Sequence, residues 1–192
     1  MQSRDSRRAG APAAAQRILR ILGAALLCAA ACSSASDALE AAGLEVEGPF
    51  TWGELANVTR AGPLYFAGQP DEVSLEKARE EGVGTVINLR NPSEFDWDER
   101  AAVEGLGMTY HNIPVRGVDA DVFSQIDAIV EQAAREGGVL VHCGSSNRVG
   151  AWYARNLMER GHGLDESIEA GRKAGMRAPP LVEGVRSLAG TE

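Results

Sequence analysis

Cysteine and histidine are scarce in this chain, with three of each among 192 residues. Cys28 and Cys32 lie in the amino-terminal stretch, so Cys143 alone serves everything after it. That excludes a disulfide framework and leaves no cysteine pair to ligate zinc. Basic residues are also outnumbered: 19 Lys and Arg face 27 Asp and Glu, for a net charge of −8. A surface this acidic excludes nucleic-acid binding through a general basic face and points to small anions drawn into one positive pocket, or to a protein partner. Aromatics make up only 5%, and Tyr65, Phe66, Trp152 and Tyr153 read as core or pocket wall. No repeat recurs, and no apolar run reaches the roughly 20 residues that span a bilayer.

What is present begins with a leader. Arg4, Arg7, Arg8, Arg17 and Arg20 precede an apolar stretch over residues 21–31, and three alanines lead into Cys32. This pattern is that of an export signal, and the small residues before Cys32 resemble a bacterial lipoprotein cleavage box in which Cys32 carries the lipid. Ala29 stands where leucine is usual, which leaves an Ala-x-Ala cut as the alternative. The division that follows is signal peptide 1–31, flexible tether 32–48 and one domain over 49–192, exported to the periplasm and touching membrane only through its lipid anchor. The first 31 residues hold five Arg and one Asp, so the mature chain drops from −8 to −12.

Within the domain, residues 58–60 and 64–67 flank Ala61-Gly62-Pro63 as two short strands around a turn. Ser74 is placed to cap a helix over 75–81, and 83–89 follows as a buried strand. Residues 95–106 read as helix and 108–115 as strand. Val122, Phe123, Ile126, Ile129, Val130 and Ala133 share one helical face, with Asp121 placed as its cap. An apolar strand ends at Cys143, and helices over 149–160, 164–173 and 181–188 complete the chain. Strands alternating with helices predict an α/β fold: a mostly parallel central sheet flanked by helices, in a single domain. Catalytic groups in such sheets gather at the strand carboxyl ends.

The segment Val139-Leu140-Val141-His142-Cys143-Gly144-Ser145-Ser146-Asn147-Arg148-Val149-Gly150 carries the chemistry. A buried strand delivers a cysteine into a tight polar loop, and an arginine follows where a helix begins. Only a thiolate attacks or carries a transferable group, and an ordinary thiol is mostly protonated at neutral pH. Loop amides from Gly144, Ser145, Ser146 and Asn147, backed by a helix amino terminus, favour the thiolate and an oxyanion beside it. Arg148 adds a planar fork able to hold two phosphate oxygens. Ser145 and Ser146 add hydroxyl donors. A lone cysteine in this position would read as structural core; in register with the small polar loop and Arg148 it reads as an anion cradle with a sulfur nucleophile at its floor.

With Tyr65-Phe66-Ala67-Gly68-Gln69-Pro70 and Val86-Ile87-Asn88-Leu89-Arg90 upstream of that loop, the chain resembles the beta-lactamase-hydrolase-like, phosphatase-like branch of the cysteine-dependent dual-specificity and tyrosine phosphatases. The resemblance covers roughly residues 64–186. It implies a dual-specificity-phosphatase-like fold and a metal-independent, cofactor-free hydrolase acting on a phosphorylated small molecule or protein. In it Cys143 attacks phosphorus, Arg148 and the loop amides hold the oxygens, and His142 braces the loop. A carboxylic acid from Arg116-Gly117-Val118-Asp119-Ala120-Asp121 protonates the leaving group, with Asp119 preferred because Asp121 is assigned to the helix cap. Asp96 and Asp98 are the reserve acids, and Arg90 lines the pocket or pairs with the acidic segment 94–99.

Two departures open other readings. Tyrosine-type phosphatases place five residues between cysteine and arginine, and here there are four, a spacing shared with rhodanese-type sulfurtransferases that carry a persulfide. Val149 stands where phosphatases usually carry Ser or Thr, which suits a non-catalytic anion-binding or protein-binding module. Ser146 also occupies a position where glycine is common, so a left-handed backbone there would cost about 1 kcal/mol.

Overall fold

The computed structural model describes residues 43–190. The leader, Cys32 and most of the expected tether lie outside the described residues. Six strands, β1 (Glu47–Trp52), β2 (Leu55–Ala61), β3 (Leu64–Ala67), β4 (Val83–Asn88), β5 (Thr109–Asn112) and β6 (Gly138–His142), form one sheet in the order β1-β2-β3-β6-β4-β5. The four strands β3, β6, β4 and β5 run parallel. β1 and β2 extend the sheet as an antiparallel edge, so it is mixed overall. Among the described residues, six helices flank it: α1 (Glu72–Glu80), α2 (Glu99–Gly105), α3 (Ala120–Ala133), α4 (Asn147–Glu159), α5 (Leu164–Lys173) and α6 (Pro179–Ala189).

The central strand follows from its composition. Val139, Leu140 and Val141 have no exposed surface, as a parallel strand covered on both faces requires. Alternation sends Phe66, Val139 and Val141 to one core, with Phe123, Ile126 and Trp152, and Tyr65 and Leu140 to the other, with Trp52 and Leu75. α4 lies so close to α5 that a methyl group at Gly150 would fall 2.3 Å from the Gly171 carbonyl oxygen. Glycine is the residue that contact admits.

Several expected boundaries shift, each for a local reason. β1 begins at Glu47, inside the segment read as tether, and Leu44 and Val46 pack against the core. The first helix is capped by Asp71, whose side chain accepts from the Ser74 amide at 2.8 Å; Ser74 itself is buried in the first turn, its hydroxyl bonded to Asp71 Oδ1 at 2.6 Å. The helix expected over 95–106 shortens to α2, because Pro92–Glu94 makes a separate 3₁₀ turn and Asp98 caps at the Ala101 amide. β5 is four residues long. At α3 the cap is Asp119 and not Asp121: its Oδ1 accepts from the Asp121 and Val122 amides at 3.0 and 3.1 Å.

Candidate active site

The carboxyl ends of β3, β4 and β6 place three sequence landmarks side by side. Beyond β6, the Cys143 amide donates to the Ala67 carbonyl at 3.3 Å, and the cysteine sits only 1% exposed at the floor of the loop. Gly144 and Ser145 stand open above it, and Ser145 bridges to Gly68 of the upstream motif. Ser146 turns the chain into α4 with φ 65° and ψ 0°, the only positive φ among the described non-glycine residues.

That left-handed turn is held from behind. Ser146 is buried, and its hydroxyl donates to the Ala174 carbonyl at 2.7 Å. Its side chain therefore supports the loop instead of facing the cradle, which corrects its expected place as a hydroxyl donor to the anion; its amide remains in the loop. Gly175 packs so near that a Cβ there would lie 2.5 Å from Ser146 Cβ. Asn147 likewise spends its side chain on the scaffold: Oδ1 accepts from the Arg177 and Ala178 amides at 2.7 and 2.8 Å, and Nδ2 donates to Ser145 Oγ at 3.1 Å. Val149 is fully buried in the core.

Arg148 points into the site. A methyl group at Gly144 would lie 3.9 Å from its Nη2. The guanidinium donates to the Val115 and Leu89 carbonyls at 3.2 and 3.4 Å, and its fork closes on one carboxylate: Nη1 to Glu94 Oε1 at 2.8 Å and Nη2 to Glu94 Oε2 at 2.7 Å. Glu94 also accepts from the Asn91 amide and side chain. The Arg148 bonds, followed by those from Asn91, hold the Glu94 carboxyl far below its ordinary value against the opposing effect of partial burial. Arg148 is raised in turn, by Glu94 first and, against desolvation, by Cys143 as well. The site at rest thus carries an internal anion on the group expected to bind phosphate.

Behind the loop lies a second polar array. His142 Nε2 is 3.1 Å from Glu99 Oε1, with both side chains fully buried. Glu99 Oε1 also accepts from Gln69 at 2.8 Å, and Oε2 accepts from Tyr110 at 3.1 Å and from Asn88. Burial opposes the Glu99 charge, but His142, Gln69 and Tyr110 together keep the carboxyl below its usual range. Burial and the Glu99 charge push Tyr110 up to about 12. Gln69 also accepts from Arg90, which donates to the Glu94 carbonyl and places Nε 3.7 Å from the Glu94 carboxylate. A continuous path of contacts therefore runs from His142 through Glu99, Gln69, Arg90 and Glu94 to Arg148, beginning and ending beside Cys143.

Asp119, the preferred acid, lines a pocket of about 430 Å³ with Pro114, Arg116 and Val122. Arg148 lines an adjoining basin of about 560 Å³, and the two share Val115 and Arg116. Asp119 is exposed, with Oδ1 occupied by the α3 cap. Neither Asp121 nor Asp96 joins the array around Arg148, and Asp98 caps α2. Sequence reasoning missed Glu94 and Glu99 as members of the site. The acidic segment was visible, but its partners His142 and Arg148 lie far along the chain and only the fold brings them together.

A mixed α/β sheet with a buried cysteine at the end of its central strand, and an arginine in the first turn of the next helix, defines the fold of the cysteine-dependent phosphatases. Residues 64–162 match the sequence model of the polymorphic toxin system DSP-PTPase phosphatases, and the chain belongs to that family. It is 33% identical over 115 residues to the beta-lactamase hydrolase-like protein of Xylella fastidiosa strain Temecula1, covering 56% of this chain and 26% of that protein. The chain thus spans about a quarter of the length of the curated relatives it matches. Among solved structures it is similar to a DUF442 protein from Shewanella putrefaciens CN-32, with a TM-score of 0.59 and 23% identity over 71% of this chain and 93% of that one. It is also similar to a cysteine-to-serine variant of P. aeruginosa TpbA in complex with pTyr, with a TM-score of 0.50 and 25% identity over 71% of this chain and 91% of that one.

Proposed function

We propose that the chain is a cysteine-dependent phosphatase acting on phosphate monoesters, phosphotyrosine among them, exported and anchored through a lipid on Cys32. The observation that carries this reading is the approach of the Arg148 fork to Gly144, over a buried Cys143, in a chain of the DSP-PTPase family. The incoming phosphate displaces Glu94 from Arg148 and is held by that guanidinium and the amides of Gly144, Ser145, Ser146 and Asn147. Cys143 Sγ bonds to phosphorus as the ester P–O bond breaks, and the leaving oxygen takes a proton from Asp119. Water then attacks phosphorus, the S–P bond breaks, inorganic phosphate leaves and the water's proton returns to Asp119. His142, fixed against Glu99, holds the start of the loop in place.

The four-residue gap between Cys143 and Arg148 supports a second reading, a sulfurtransferase that carries a persulfide on Cys143. Hydrolysis of p-nitrophenyl phosphate and transfer of sulfur from thiosulfate to cyanide, each measured beside a Cys143→Ser variant, separate the two. Phosphate release dependent on Cys143 supports the first. Sulfur transfer without phosphate release reverses the order, and tight oxyanion binding with neither reaction marks a non-catalytic binding module.

A further inference from the structure

We propose that the substrate is a phosphate ester bearing a second anionic group, which Arg116 holds while Arg148 and the loop hold the phosphate. This rests on the phosphatase reading and specifies its substrate class. Arg116 lies on the segment between β5 and α3 and lines the same 560 Å³ basin as Arg148, with Asn91, Ser93, Glu94 and Leu181 around them. Its Nε donates to Asn91 Oδ1 at 3.3 Å. Asn91 gives its Nδ2 to Glu94 Oε1 at 2.7 Å, which fixes the amide with its oxygen toward Arg116. One side chain thus orients both the carboxylate resting on Arg148 and the neighbouring guanidinium.

Among the described residues no carboxylate pairs with Arg116, whereas Arg90 and Arg148 both contact Glu94. A guanidinium has five N–H donors in a fork matched to carboxylate or phosphate oxygens. Arg116 uses one of them on Asn91 and turns its remaining donors to an exposed position. In a chain with net charge −8, an exposed cation without a carboxylate partner, beside the phosphate-binding arginine, is a local departure from the surrounding field. Val115 and Leu181 supply an apolar floor in the same basin against which the carbon skeleton joining the two anionic groups can lie. When phosphate takes the Arg148 fork, Glu94 keeps its bonds from Asn91 and its contact with Arg90, so its charge stays compensated and Arg116 stays open.

The test compares phenyl phosphate with 3- and 4-carboxyphenyl phosphate, which differ from it by one carboxylate, on the full chain and its Arg116→Gln and Arg116→Lys variants. The wild type is expected to favour at least one carboxylated ester by fivefold or more in kcat/KM. Arg116→Gln should bring that ratio to near one, and Arg116→Lys should restore part of it. Equal ratios in the wild type, or a preference that survives Arg116→Gln, would overturn the proposal. Calorimetric titration of the same esters into a Cys143→Ser variant keeps the two readings apart. Tighter binding of a carboxylated ester that depends on Arg116, in a protein that hydrolyses none of them, upholds the second subsite while the phosphatase reading fails. Cys143-dependent hydrolysis with no carboxylate preference does the reverse.

Discussion

Replacing Glu94 by Gln is expected to tighten the binding of inorganic phosphate. Glu94 meets the Arg148 fork with two charge-assisted bonds of 2.7 and 2.8 Å, and an anion entering the loop must break them or share them. Such bonds contribute about 1.5–3 kcal/mol each when fully buried. Here the carboxylate side chain is 32% exposed and the guanidinium 18%, so water replaces part of what is lost, and the pair is worth about 1–2 kcal/mol. Removing that competitor should lower the phosphate dissociation constant roughly 5- to 30-fold, read by calorimetric titration of phosphate into the Cys143→Ser protein with and without Glu94→Gln. Weaker phosphate binding in the double variant would refute the reasoning, because it would mean that Glu94 aims the guanidinium more than it occupies it. The same change has a signature in stability. A carboxyl held below its ordinary 4.5 contributes stability that is fully present above that value and lost as pH falls through the depressed one. Wild type should therefore exceed Glu94→Gln by no more than about 1–2 kcal/mol at neutral pH, with the gap closing in strong acid.

Other substitutions probe the loop and its supports. Glu99→Gln places an amide nitrogen among donors from Gln69, Asn88 and Tyr110, and should cost about 2–3 kcal/mol in urea denaturation; a loss under 0.5 kcal/mol would show that the array is not under strain from its donors. Ser146→Ala keeps the left-handed angle and removes the bond to Ala174, for a loss of about 1–3 kcal/mol, whereas Ser146→Gly should lose less because glycine relieves the backbone by about 1 kcal/mol. Equal losses would show that the backbone angle carries no cost. Gly150→Ala drives a methyl into the Gly171 carbonyl and Met176, and a drop of about 1–3 kcal/mol is expected from overpacking; an unchanged denaturation midpoint would show that α4 and α5 separate freely. Hydrogen peroxide should abolish phosphate release and reductant should restore it, while indifference to peroxide would count against attack by the Cys143 sulfur.

The parts of the fold legible in sequence were those with a one-dimensional signal. β4 and β6 are apolar runs rich in β-branched residues, and α3 repeats its apolar face over nearly four turns. β1 has no such signal, since five of its six residues are exposed, and it owes its place to pairing with β2. Asp119 and Asp121 both precede the helical face, and their spacing cannot say which one caps; the geometry selects Asp119, which caps through Oδ1 alone and leaves Oδ2 for the proton that the proposed acid must carry. The cradle was readable because its cysteine, loop and arginine are contiguous. Glu94 and Glu99 were not, because their value depends on Arg148 and His142, which arrive from the far side of the chain when β6 inserts between β3 and β4.

The family match ends at residue 162, yet the turn at Ser146 leans on Ala174 and Gly175, and Asn147 grips the amides of Arg177 and Ala178. A fragment cut at the end of the match would retain every atom of the cradle while losing the mould that shapes it. In swaps between relatives, α5 and the strap after it must therefore travel with the cysteine loop. A chimera that joins one parent's loop to another's carboxyl-terminal helices exchanges the template along with the tail.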